Sequence, residues 1–485
     1  MRMSKLSANY IVLKSKIIYI VLLLVCVTEA HAWEWWPLPM AQPDTCRDSL
    51  MYVGAIHAVS SSGAQAPLLL WHNTHGEISA MPHSATVSLG VIKPATRPSR
   101  WFDYDFGVVL TGRFGGGSGM QPDVTGFFSQ LYAHARLYIV DITAGIKPEY
   151  YGAGDELLSS GSLLFSDNAH PIPRISIGFE RWTPIPGLFG YAEIKGGVTH
   201  GWLGDNYEAV KGTLLHHKYI GGRIGGKLPV NVSYEFHHVA QWGGYSNEYG
   251  DLGNSWQAFR AAFLVKSGGT MLNDQINAQG NHIGFQQLAL DVKGKGWKVS
   301  AYWQVILEDG PIRFIGTTMN KSDGLWGISA TQSRWPFIQG LTYEFLHTTD
   351  QSGPFHDRDG AVYGGDDNYY NNSIYTQGWT YYGRIIGSPL LSLSNNRVRA
   401  HHVGIRGDIF GHRYRIIVNH ADNYGTYKQP AYSRNTAVLL EVTKHVPQAW
   451  GLDFGFSLAG DFGTQYDNQF GAMLTITKTG LLTQW

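Results

Sequence analysis

Tyr191-Ala192-Glu193-Ile194-Lys195-Gly196-Gly197-Val198-Thr199-His200-Gly201-Trp202 alternates between two kinds of side chain. Successive residues of an extended chain point to opposite sides. Ala192, Ile194, Gly196, Val198 and Trp202 therefore share an oily face, and Glu193, Lys195 and Thr199 share a wet one. The same period of two organises Lys298 to Glu308, where Val299, Ala301, Trp303, Val305 and Leu307 oppose Ser300, Tyr302, Gln304 and Glu308. It returns in Leu131, Ala133, Ala135, Leu137 and Ile139 against Tyr132, His134, Arg136 and Tyr138, and in Val403, Ile405, Gly407 and Ile409 against Gly404, Arg406 and Asp408. Further segments of this kind run near residues 84–93, 102–112, 173–181, 216–225, 230–241, 284–293, 336–346, 412–420, 436–443, 452–460 and 468–477. Segments of about ten residues with this alternation are the mark of a membrane β-barrel. A soluble β-sandwich alternates as well, but its strands average about 5–6 residues and its oily face is richer in Leu, Ile and Val. The pattern predicts an all-β fold, a transmembrane antiparallel β-barrel.

Composition agrees. Only 15% of the 485 residues are charged while 13% are aromatic, with 59 Gly, 27 Tyr and 16 Trp, a balance that suits strands and tight turns. Lys+Arg and Asp+Glu are equal at 37 each, so no net charge attracts nucleic acid. Aromatic residues gather at segment ends, in Trp33, Trp35 and Trp36, in Tyr150 and Tyr151, at Trp202, Trp242 and Trp326, and from Trp379 to Tyr382. Those are girdle positions for a barrel in a bilayer, although core packing by large rings gives the same clustering.

The one long apolar block lies near the start. Lys14 and Lys16 precede Ile17 to Val25, and Ala30-His31-Ala32 follows, which is the layout of a secretory signal peptide cleaved after Ala32. The block is shorter than the roughly 20 residues a membrane-spanning helix needs. Cys26 lacks the small preceding residue of a lipoprotein site, and removal of the leader leaves Cys46 alone, without a disulfide partner. Three divisions are expected: a signal peptide over 1–32, a short periplasmic segment over 33–64, and a barrel over 65–485. At the other end, Lys478 to Trp485, with Gly480 and a terminal aromatic, resembles the assembly signal read by the outer-membrane barrel assembly machinery; Thr483 departs from it. The longest segments without alternation, 146–172, 242–282 and 347–378, are rich in Gly, Asp, Asn and Tyr and are expected to be surface loops.

A set of ordered motifs carries a family resemblance. They are Ser166-Asp167-Asn168-Ala169-His170-Pro171-Ile172-Pro173-Arg174, Gly225-Gly226-Lys227-Leu228-Pro229-Val230-Asn231, Glu235 to Gly244, Asn277 to His282, Tyr302-Trp303-Gln304 with Glu308-Asp309-Gly310, Asp323-Gly324-Leu325-Trp326-Gly327, Thr349 to Pro354, Tyr370 to Tyr381, and His401-His402-Val403-Gly404. Over about residues 65–480 the chain resembles the Wzi family of capsule-assembly outer-membrane proteins, in the form common among Bacteroidetes. The resemblance implies a barrel of about eighteen strands in the cell outer membrane, surrounded by outer-membrane lipid, that holds capsular polysaccharide as a lectin-like anchor without catalysis or cofactor. Enterobacterial members precede the barrel with a periplasmic helical bundle. Residues 33–64, broken by Pro37, Pro39, Pro43 and Gly63, are too short for one.

Sugar recognition needs flat apolar faces for ring C–H groups and planar amides or carboxylates for hydroxyls. Trp242, Trp326 and Trp379 offer the faces, and Gln241, Asn281, Gln304, Asn371, Asn372 and Gln377 the amides. Arg384, His401 and His402 would meet the carboxylates of an acidic capsule, where Arg grips with two hydrogen bonds. Equally, such residues satisfy backbone and one another inside a barrel. Glu308-Asp309 and Glu344 with Asp350 are the candidate carboxylate pairs for glycosidic cleavage, which needs about 5–10 Å between them; ordinary structural pairing accounts for them as well. No metal site is expected from His216-His217, His237-His238 or His401-His402, because neighbours on a strand face opposite ways. The Gly115-Gly116-Gly117 and Gly225-Gly226 runs lack the Gly-Lys-Ser/Thr of a phosphate loop. Two other functions remain open at this point, a porin or selective channel and a barrel-borne glycan or lipid hydrolase.

Overall fold

The computed structural model describes residues 48–95, 101–205, 209–265, 280–308, 320, 322–354, 356–358 and 361–485, with no side chains described at 356–358 and 361–364. The expected signal peptide and Cys46 lie outside these residues.

Eighteen strands form one closed antiparallel sheet. In chain order they are β1 Ser49–Ser61, β2 His83–Lys93, β3 Phe102–Gly116, β4 Asp123–Leu137, β5 Val140–Ile146, β6 Arg174–Pro184, β7 Ala192–Gly204, β8 Thr213–Ile224, β9 Val230–Trp242, β10 Asn281–Gly294, β11 Trp297–Leu307, β12 Gly324–Gln332, β13 Gly340–His347, β14 Val398–Ile409, β15 His412–Gly425, β16 Pro430–Val446, β17 Leu452–Gly463 and β18 Gln469–Gln484. Each pairs with the next, and β18 pairs with β1. Two backbone hydrogen bonds of 2.9 Å between Asp48 and Trp485 fasten the seam where β1 and β18 meet. Closure removes the unpaired edges that a membrane cannot tolerate.

The strands obey the alternation read from the sequence. On β2, Ser84, Thr86 and Ser88 are buried in the lumen while Val87 and Leu89 are exposed on the outer wall. On β11, Ser300, Tyr302 and Gln304 point inward, and Trp303 stacks on Trp326 of β12 outside, with ring centroids 5.0 Å apart. One end of the barrel is closed by tight turns. Phe410-Gly411 turns β14 into β15, both residues taking the left-handed conformation that a two-residue hairpin needs (φ 55° and 76°). The other end carries the long connections.

Three expectations change. The barrel begins inside the segment assigned to the periplasm, because Ser49–Ser61 is a wall strand paired on both sides. The run Leu131 to Ile139 is broken at Tyr138, whose φ of 58° starts the β4–β5 turn. The connections 147–173 and 348–397 are not surface loops over most of their length: they fold back into the lumen and bury Leu158, Leu163, Leu164, Phe165, Tyr369, Tyr370 and Trp379. Their apolar side chains leave water there.

Candidate functional site

Three long connections build a plug. In the first, residues 62–82, a single helical turn at Leu68–Trp71 begins at a backbone N–H that donates to Asp461 of β17 (3.0 Å), and Leu70 and Ile78 pack on Val59, Leu439, Ala459 and Met473 of the wall. In the second, residues 147–173, Asp155 pairs with Arg406 of β14 (2.8 Å), and the amide N–H of Leu163 donates to Gln304 of β11 (3.1 Å). In the third, residues 348–397, the amides of Asp350 and Gln351 donate to Asp323 (3.0 and 2.9 Å), and a short ribbon pairs Thr380–Tyr381 with Arg384–Ile385.

The three are bonded into one body. Trp379 Nε1 donates to Leu164 O (2.8 Å), Asn168 to Ile385 O (2.9 Å) and the Ser166 amide to Ile386 O (2.8 Å). The Tyr370 hydroxyl donates to Leu163 O, and Asn73 to Ser160 O (3.2 Å). Arg384 donates to Trp71 O (3.1 Å) and Ile78 O and lies over the Trp71 ring at 5.0 Å. An apolar core joins this body to inward side chains of the wall from Leu203 on β7 and Leu215 on β8 to Ala400 on β14 and Ala421 on β15. Elsewhere Thr86, Arg113, Asp123 and Arg174 hold plug atoms from β2, β3, β4 and β6. The plug thus meets wall strands all the way round the barrel. A cleft left between its loops, lined by His75, Glu149, Tyr151, Phe165, His170 and Arg174, measures about 30 Å³, room for a water molecule or two and none for a sugar.

Burial sets the charge states of the plug. Asp167 has its carboxyl pushed up to about 7 by burial, although His75 stands 3.6 Å away. Glu156 is likewise raised to about 7, by burial and then by the Asp167 charge. His170 is lowered to about 3 by burial and by the Arg113 and Arg384 guanidiniums. Arg384 itself is lowered to about 10.

Glu344, on β13, is the tightest tie between plug and wall. It is fully buried. One oxygen accepts from Ser159 Oγ (2.8 Å) and Tyr302 Oη (2.5 Å), the other from the Ser160 amide (2.6 Å) and hydroxyl (2.5 Å). A carboxylate held by four donors is a structural anchor. Glu308 is similarly engaged, by the Tyr370 amide at 2.8 Å; Asp309 lies outside the described residues. Toward the tight-turn end the lumen wall is lined by ion pairs, among them Lys195–Glu235 (2.7 Å), Arg223–Glu193 (2.5 Å), Arg413–Asp453 (2.8 Å) and Arg415–Glu441 (3.1 Å). There His134, Asp141 and Glu180 come close enough to hold a metal ion. His134 is already bonded to Asp105 and to Asp141 (3.1 Å), and Arg136 covers Asp141 (2.5 Å), so the group balances its own charge.

The residues proposed from sequence for sugar contact fall into two sets. Gln241, Asn281 and Asn372 form a chain, Asn281 donating to Gln241 (2.7 Å) and Asn372 to Asn281 (3.2 Å), with Gln241 donating on to Gly378 O (3.1 Å). Gln304 bonds Gln287 (2.8 Å) and the plug, Asn371 bonds Leu393 O (2.9 Å), and His402 donates to Leu158 O (2.8 Å). Gln377, Trp379 and Arg384 belong to the same buried seam. Trp242, Trp326 and His401 instead stand on the outer wall. Trp242 is covered by the helix α1, Trp256–Leu264, through Ala258, Ala262 and Phe259. Trp326 is exposed, and His401 accepts from or donates to Tyr343 Oη at 2.9 Å.

Adjacent histidines do split between faces, but four histidines of neighbouring strands still meet across the sheet. His217 and His237 meet inside (3.1 Å), His238 and His282 outside (2.9 Å). Register, not spacing, brings them together, and no local signal reveals it. A different signal was present for the plug: Leu163-Leu164-Phe165 is an apolar run in a segment read as a solvated loop.

No family model and no curated relative matches the chain. Among solved structures it is similar to Wzi of Escherichia coli, an outer membrane protein involved in group 1 capsule assembly and described as a carbohydrate-binding β-barrel, at 16% identity with a TM-score of 0.53, over 88% of this chain and 84% of that one. It is also similar to OccK7 (OpdD) of Pseudomonas aeruginosa, at 9% identity with a TM-score of 0.45, over 90% and 100% of the two chains, and to OprD of the same organism, at 11% identity with a TM-score of 0.43, over 90% and 96%. At these identities the likeness is one of fold: the chain is an eighteen-stranded barrel of the outer-membrane kind.

Proposed function

We propose that this barrel holds capsular or other surface polysaccharide at the cell surface and helps attach or assemble the capsule, as a lectin-like anchor without a catalytic step. The observation that carries the reading is the plug, whose apolar core and polar seam fill the lumen from wall to wall and are suited to a rigid platform. The carbohydrate binding described for Wzi points the same way. In outer-membrane barrels the long connections face outward, so polysaccharide would meet the outer side of the plug and the ribbon formed by Val210–Lys211, Tyr245–Ser246 and Gly250–Asp251. That ribbon leaves Tyr245, Asn247 and Glu248 exposed, an aromatic face with an amide and a carboxylate beside it.

Deletion of the gene, followed by measurement of cell-bound and shed polysaccharide, tests the reading. A fall in the bound fraction with a matching rise in the shed fraction supports it, and unchanged fractions contradict it. Planar-bilayer recording separates the porin alternative: the anchor is silent, and a porin gives stable ohmic steps.

A further inference from the structure

The outer wall of a membrane barrel is apolar through the hydrocarbon and accepts charge only near the interfaces. On β13–β16 the outward side chains can be followed row by row across the sheet, because the register fixes which residues stand side by side. The row nearest the long-connection end is His347, Arg399, Asp422 and Arg434. Next come Phe345, His401, His420 and Thr436, then Tyr343, Val403, Val418 and Val438, then Leu341, Ile405, Ile416 and Leu440. Within four rows the wall passes from charged, through imidazole and hydroxyl, to wholly aliphatic. His347, Arg399 and Asp422 of the first row and Phe345 and His401 of the second, with Ser322 and Tyr424, line a groove of about 500 Å³ on the outside of the barrel.

The charges in the groove are unevenly matched. Asp422 is taken by Arg434 (3.7 Å) and by the Tyr432 hydroxyl (2.9 Å), and Asp323 stands 3.3 Å from His347. Arg399 is exposed and has neither a hydrogen bond nor an ion pair among the described residues; its neighbour is the Tyr424 ring, 6.0 Å away. A guanidinium on a membrane-facing wall whose cross-strand neighbour Asp422 is already engaged by Arg434 and Tyr432, two rows above the Tyr343–Val403–Val418–Val438 row, is complementary to an anionic amphiphile.

We propose that this groove seats the phosphorylated headgroup of an outer-leaflet glycolipid. Arg399 takes a phosphate through its planar fork, which matches phosphate geometry better than an ammonium does. His401, bonded at Nδ1 to Tyr343, offers its other ring nitrogen to the headgroup, and Phe345 and Tyr424 bound the sugar. The acyl chains run down the Val403–Val418–Val438 and Ile405–Ile416–Leu440 rows. A soluble polysaccharide would have no use for those rows, which is why the lipid is the favoured occupant. The inference rests on the barrel's place in the membrane and not on the polysaccharide reading.

Native mass spectrometry of the full chain, released from nanodiscs containing bisphosphorylated lipid A, dephosphorylated lipid A or phosphatidylglycerol, tests the proposal. Expected is retention of bisphosphorylated lipid A by the unaltered protein, a loss of at least tenfold in Arg399→Ala and an intermediate loss in Arg399→Lys, with heat-modifiable gel mobility reporting an intact barrel in each. Equal retention by the unaltered protein and folded Arg399→Ala would overturn it, as would equal retention of the phosphorylated and dephosphorylated lipids. Loss of polysaccharide binding in Arg399→Ala with lipid retention unchanged would overturn it in favour of a glycan site on the outer wall.

Discussion

Glu344 and Ser160 are bonded twice: one carboxylate oxygen of the wall residue accepts both the backbone N–H and the hydroxyl of the plug residue, at 2.6 and 2.5 Å. With Ser159 and Tyr302 on the other oxygen, this carboxylate couples the position of the 147–173 connection to that of β13. Glu344→Gln replaces one acceptor by a donor that faces donors, at a cost of about 1.5–3 kcal/mol. The wall, held by strand pairing, stays closed while the plug loosens. Limited proteolysis should then cut within 147–173 in the variant and not in the parent, at equal heat-modifiable mobility; resistance equal to the parent's would count against the tie.

Trp379 is the largest of the fully buried plug side chains and joins the 348–397 connection to Leu164 of its neighbour. Trp379→Ala removes that ring and its hydrogen bond, a loss of about 3–5 kcal/mol for a buried Trp. Transient openings should appear as conductance bursts in planar bilayers, where the parent is silent. A variant as silent as its parent would show that closure does not depend on this core.

Asp167 gives the plug a pH dependence of known sign. Its folded carboxyl holds a proton up to about 7, whereas in an unfolded chain it ionises near 3.9. The folded state therefore binds the extra proton between those values, and stability falls as pH rises through the window and levels off above it. Asp167→Asn abolishes this contribution. Hydrogen exchange over 147–173 should be slower in the variant than in the parent at pH 8 and equal in the two at pH 4. A constant difference across that range would mean that the carboxyl does not titrate there.

Trp326 stacks on Trp303 on the outside of the barrel, the position of an aromatic girdle residue. Such a pair is worth about 0.5–1.5 kcal/mol beyond its burial. In Trp326→Ala, quenching of tryptophan fluorescence by brominated lipid should decrease and urea resistance should drop by that amount, with polysaccharide binding unchanged. A loss of polysaccharide binding would restore Trp326 as a contact residue.

Much of the wall was legible from alternation alone, and the exceptions have physical reasons. β1 carries Met51 and Val59 on its inward face because that face packs the lumen, so Ser49–Ser61 is apolar on both sides and shows no clear period. β5 is only seven residues long, too short to establish one. β12 alternates Leu325, Gly327 and Ser329 inward against Trp326 and Ile328 outward, a row of mixed size that reads as a loop motif. The plug was the larger omission. Gln241, Gln304, Trp379 and His402 were recognisable as residues with a task, but the partners that define it, Gly378, Leu163, Leu164 and Leu158, are their backbone neighbours only in the folded lumen. Period-two reading describes strands that face water or lipid; it is silent on loops that supply the interior.

Glycan binding on the long-connection side of the plugged barrel can be measured directly. Its most direct test is equilibrium binding of the host's purified surface polysaccharide to the full chain in nanodiscs, with Tyr245→Ala alongside. Saturable binding to the parent is expected, with a several-fold weaker affinity in the variant. Absence of saturable binding to a correctly folded parent would contradict the proposed function.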